Sequence, residues 1–106
     1  MPREFTKEEV REKFLREVNA LVDYWQNESR FPGIREKLQG LAFSIMSTID
    51  GSSMNLPAFI LAPQPAEEDK GFFIENGQDY FPENNATNVN CDIAGELHEL
   101  LSKYRP

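Results

Sequence analysis

The chain holds one cysteine, one histidine and one tryptophan in 106 residues. A single thiol, Cys91, cannot close an internal disulfide, so no covalent framework is expected. A single imidazole, His98, with no Cys or His partners at ligand spacing gives no metal signature. No apolar run approaches the ~20 residues that cross a bilayer. Met1-Pro2-Arg3-Glu4-Phe5-Thr6-Lys7 has no apolar stretch of signal-peptide type. These deficits predict a cytoplasmic protein. Positive charge is also short: 11 Lys and Arg against 18 Asp and Glu leave a net charge of −7 and a pI near 4.7. Nucleic acid and anionic membranes call for a basic face, so neither is expected as a partner. A basic protein partner fits the charge, and so does plain solubility.

What is present is enough for one core. A length of 106 residues supports a single domain, 1–106, and 40% hydrophobic residues is too many for a disordered chain. The first helix is signalled locally. Thr6 and Glu9 form a capping box, with Phe5 and Val10 as a hydrophobic staple. Val10, Phe14, Val18, Leu21, Val22 and Trp25 share one arc at 100° per residue. Pro32 ends the pattern, because the residue before a proline is driven out of the helical region.

The middle of the chain reads as sheet. Residues 34–38 suggest a short helical turn, with Gly40 as its stop. Leu41, Phe43, Ile45 and Ile49 then alternate with Ala42, Ser44, Met46 and Thr48, which predicts a strand over 41–49. A second strand is expected over 56–62, bracketed by Pro57 and Pro63. Phe72-Phe73-Ile74-Glu75-Asn76-Gly77-Gln78-Asp79-Tyr80-Phe81 places Asn-Gly between two aromatic runs, the strongest short-range hairpin signal. The hairpin pairs Phe73 with Tyr80 and Phe72 with Phe81. An irregular, Asn-rich segment follows over 82–90. A last helix is expected from Asn90 or Asp92, with Ile93, Leu97, Leu100, Leu101 and Tyr104 as its apolar stripe. The expected fold is therefore α+β: N-terminal helix, four-stranded antiparallel meander, C-terminal helix, both helices on one sheet face.

No catalytic, cofactor-binding or metal-binding constellation stands out. Cys91 near a helix start and His98 on that helix invite a nucleophile–base reading, but seven residues of helix separate them by ~10 Å, beyond hydrogen-bond reach. Cys91 then reads as a small semi-buried residue and His98 as a boundary residue. Glu67-Glu68-Asp69 and Asp92, Glu96 and Glu99 are acidic clusters without a calcium-loop pattern, and read as solvated faces. Eight Phe in so small a layer exceed what one core needs, and the surplus suggests a homodimer.

The run Arg35-Glu36-Lys37-Leu38-Gln39-Gly40-Leu41-Ala42-Phe43-Ser44-Ile45, with Ile49-Asp50-Gly51, Leu56-Pro57-Ala58-Phe59, Tyr80-Phe81-Pro82 and Gly95-Glu96-Leu97-His98-Glu99, resembles small bacterial domain families of unknown function, some of them in prophage-like regions. That resemblance implies no activity and carries over no site residues. Three functions are compatible with the residues. The first is a non-enzymatic acidic protein acting through protein–protein contact. The second is a ligand binder or enzyme with a pocket between sheet and helices, using His98, Cys91 and Asp79. The third is an acidic mimic of nucleic acid.

Overall fold

Thr6 opens the first helix as the capping box demands. Its hydroxyl accepts from the Glu9 N–H at 3.2 Å, and the Glu9 carboxylate accepts from the Thr6 N–H at 2.9 Å. Helix α1, Lys7–Gln26, follows without interruption. In this computed structural model, which describes residues 2–104, α2 spans Ile34–Ile49, α3 spans Asp69–Glu75 and α4 spans Leu97–Leu100. A single 3₁₀ turn, Leu101–Tyr104, completes the order.

The described residues contain no β-strand, so the α+β fold with its four-stranded meander is overturned. Each expected strand fails for its own reason. Residues 41–49 are the second half of α2. Ile34, Leu38, Leu41, Ile45 and Thr48 recur at alternating spacings of four and three, a helical seam that coexists with the period-two pattern at 41, 43 and 45. Gly40 does not stop this helix. It lies inside α2 because the Trp25 ring rests on its backbone, where an added Cβ would come within 2.4 Å of that ring. The Trp25 indole N–H then donates to the Ser44 hydroxyl at 2.9 Å, so Gly40 and Ser44 form the shelf on which α1 packs. Residues 56–62 are irregular. They are held by the Phe59 N–H donating to the Ile49 carbonyl at 2.9 Å and by edge-to-face packing of Phe59 on Phe14.

Asn76-Gly77 is a helix stop instead of a hairpin. Gly77 takes a φ of 64°, its N–H donates to the Ile74 carbonyl and the Gln78 N–H donates to the Phe73 carbonyl. That bond pair is a Schellman motif, which draws on the same positive-φ chemistry as a hairpin turn. The aromatic pairs Phe73–Tyr80 and Phe72–Phe81 are accordingly not made. Phe72 packs on Phe73, and Tyr80 lies beneath the Lys70 ammonium. The last helix starts at Leu97, well after Asn90 and Asp92. Asp92 instead accepts from the Leu61 and Ala94 N–H groups, tying two irregular segments together.

Burial is sparse. Among the described residues only Leu56 and Thr48 are buried, and Ile34, Leu38, Phe72 and Phe81 are each at least 60% exposed. The radius of gyration is 17.6 Å, against ~13 Å for a compact chain of this length.

Candidate functional site

Asp50 closes α2 and reaches across the molecule to α4. Its Oδ1 accepts from the Gly95 N–H at 2.6 Å, and its Oδ2 accepts from the His98 N–H at 2.8 Å. The residue at the head of α4, Glu96, makes no side-chain cap of its own. A carboxylate 45 residues upstream therefore supplies the capping oxygen that the local sequence does not. The same Oδ2 lies 2.6 Å from His98 Nδ1.

Burial alone would push the Asp50 carboxyl up, since its side chain is only 1% exposed. The His98 ring and the His98, Gly95 and Leu97 N–H groups outweigh that and hold it at about 2. Asp50 is thus ionised at neutral pH and can only accept, so Nδ1 must carry the hydrogen of this bond. In a neutral ring, Nε2 then keeps its lone pair. Nε2 makes no hydrogen bond among the described residues, and Glu99 Oε1 stands 3.8 Å away. The Phe43 ring meets the imidazole edge-to-face at 5.6 Å and fixes its tilt.

His98 lines a cleft of about 500 Å³, with Arg35, Gln39, Phe43, Glu99, Ser102 and Tyr104 around it. The cleft offers an oriented imidazole, a guanidinium and two aromatic rings. It can hold a small planar molecule and accept a hydrogen bond from it at Nε2 when the ring is neutral.

Of His98, Cys91 and Asp79, the polar groups the sequence offers for chemistry, only His98 lines this cleft; Glu99, read from the sequence as part of a solvated face, lines it as well. Cys91 is a free, half-buried thiol whose backbone N–H donates to Asn84 Oδ1, and it is absent from the cleft. Asp79 is exposed in the segment after α3 and does not line the cleft. The pocket between sheet and helices has no sheet to form it; the cleft lies instead between α2 and the C-terminal turns. No group of three His, Cys, Asp or Glu side chains suited to a metal ion occurs among the described residues. Comparison with family models, curated proteins and solved structures returns no match.

A second long-range contact matters as much to the architecture. Lys37 of α2 points its ammonium at the end of α1 and donates to the carbonyls of Trp25, Gln26 and Glu28 at 3.0, 3.0 and 2.7 Å. The last turn of α1 has no basic residue of its own. Lys37 thus neutralises the negative end of that helix from the neighbouring one. Nearby, Arg30 grips Glu28 through Nε and Nη2, and that grip holds the Glu28 carboxyl at about 2. Neither Asp50 nor Lys37 stands out from the sequence, because each acts on a backbone distant along the chain.

Proposed function

We propose that the chain is a small acidic cytoplasmic protein that works without catalysis, through protein–protein contact. The observation that carries this reading is its surface. The chain exposes 8725 Å², whereas a compact monomer of 12.2 kDa exposes ~6,100 Å². The difference, about 2,600 Å², is surface that a second protein can cover, and large apolar side chains stand exposed on it. A net charge of −7 speaks against nucleic acid and anionic membranes as what covers it. The unpaired thiol of Cys91 suits a reducing compartment.

Light scattering combined with small-angle X-ray scattering tests this. Expected is either an assembly larger than 12.2 kDa or a monomer that keeps its extended 17.6 Å dimension. A monomer with a radius of gyration near ~13 Å would overturn the reading, since such a chain covers its own apolar surface.

The Asp50–His98 pair favours a second reading, a binding cleft for a small planar acid, with Arg35 as counter-charge and Phe43 and Tyr104 as stacking faces. Titration with benzoate while following the His98 ring signals by NMR checks it. A saturating shift at His98 that Arg35→Gln abolishes supports the cleft; no shift at millimolar benzoate removes it.

A further inference from the structure

The α1–α2 hairpin carries two apolar seams that the chain leaves half covered. On α2 the seam is Ile34, Leu38, Leu41 and Ile45, at spacings of four, three and four. On α1 it is Leu15, Val18, Val22 and Trp25, at spacings of three, four and three. Such alternation is what a helix shows when it packs at a shallow angle against another. Within the hairpin, Val18, Trp25, Leu41 and Ile45 are half-buried. The outer members are not: Leu15 is 53% exposed, Val22 41%, Ile34 78% and Leu38 61%. Val22, Ile34 and Leu38 flank a shallow groove of about 270 Å³ between the two helices, and Leu15 continues the α1 seam one turn beyond it. The cleft of Asp50 and His98 shares no lining residue with it.

Charge says what fits the groove. From Lys7 to Ile49 the hairpin has seven basic residues (Lys7, Arg11, Lys13, Arg16, Arg30, Arg35, Lys37) and seven acidic ones (Glu8, Glu9, Glu12, Glu17, Asp23, Glu28, Glu36). It is neutral, and the whole net charge of −7 lies in residues 50–106. A basic partner gains nothing electrostatically from a neutral hairpin, whereas a second copy of that hairpin meets no net repulsion.

We propose that two copies of this chain pair through their α1–α2 hairpins to form a four-helix bundle, with Leu15, Val22, Ile34 and Leu38 at the centre of an isologous interface. This rests on the protein-contact reading above and names the occupant of part of that surface. Burying ~1,000–1,500 Å² on each chain places the contact in the range of obligate dimers. It consumes roughly half of the excess surface.

The test is light scattering on the whole chain and on a Val22→Glu, Leu38→Glu variant, with far-UV circular dichroism on both. Both positions are exposed in the single chain, so the introduced carboxylates stay in water if the chain is alone. Expected are a mass of about 24 kDa for the parent, twice 12.2 kDa, and 12.2 kDa for the variant with its helical signal kept. A dimer that persists in the folded variant overturns the proposed interface. A 12.2 kDa parent overturns self-pairing: with an extended radius the protein-contact reading stands, and with a compact one both fall. Should the variant lose its helices, hydrogen exchange on the parent diluted from ~100 µM to ~1 µM decides. Protection lost over 15–25 and 34–45, with none lost over 69–75, supports the bundle. Unchanged protection over the two hairpin segments overturns it.

Discussion

With its carboxylate nearly sealed from solvent and its pKa near 2, Asp50 binds α2, α4 and the His98 ring through one charge. An unfolded aspartate titrates near 3.8, so the folded form is the weaker proton binder. Its stabilisation is therefore present above pH 3.8 and is lost as pH falls towards about 2. Asp50→Asn removes the charge and turns an amide N–H₂ towards groups that also donate, which at neutral pH costs about 1–3 kcal/mol. Urea unfolding at pH 7 and pH 3 measures this. The parent loses stability between those values, and the variant loses less of it. Lys37 is the opposite case, a cation serving carbonyls. Lys37→Met keeps the aliphatic stem and removes the three donors, which costs about 1–2 kcal/mol. A lower urea midpoint with an unchanged m-value is the expected signature.

At the scale of elements, the union of α1 and α2 turns on Gly40. An alanine there gains up to ~1 kcal/mol in helix propensity. Its Cβ, however, lands 2.4 Å from the Trp25 ring and forces that ring off the Ser44 hydroxyl. Overpacking of this kind costs about 1–3 kcal/mol and outweighs the propensity. Gly40→Ala is expected to lower the melting temperature and to red-shift Trp25 fluorescence as the indole gains water. The same residue shows where sequence reading stopped. Helix α1 is legible because its signals are local: Thr6 caps it, Glu9 answers, and it stops at Gln26 with Asn27 as its cap, ahead of Pro32. In α2 two periods overlap on the same apolar residues, and Gly40 reads as a helix stop although its role is to admit the Trp25 ring. Asn76-Gly77 is ambiguous for a related reason. Positive φ at Gly77 serves a Schellman stop as well as a hairpin, and only the partner carbonyls of Phe73 and Ile74 decide between them. Of the site, His98 is legible as the lone imidazole. Its partner is not, because Asp50 lies 48 residues away and its use as a remote cap leaves no local pattern.

For the whole molecule, only two of the described residues are buried and the radius of gyration is 17.6 Å, so little interior holds a single chain together. Asp50 on α4 and Lys37 on α1 tie helix ends to distant side chains, and such ties join elements without excluding water from their faces. If two copies pair as proposed, association completes the apolar burial that is the dominant favourable contribution to folding. Unfolding of such a protein releases separate chains, so its midpoint depends on protein concentration by mass action, unlike that of a monomer. Thermal melts followed by circular dichroism over a hundredfold range of concentration are expected to shift upward by several degrees from dilute to concentrated. A midpoint independent of concentration would mean that the helices are stable within one chain and that the exposed seam contributes nothing to folding. The acidic half adds a second dependence of opposite origin. Its net charge of −7 repels itself within and between chains, and that repulsion is screened over ~10 Å at 0.1 M salt. Added salt should therefore raise the midpoint while leaving the concentration slope in place, because the neutral hairpin that forms the seam carries no net charge to screen.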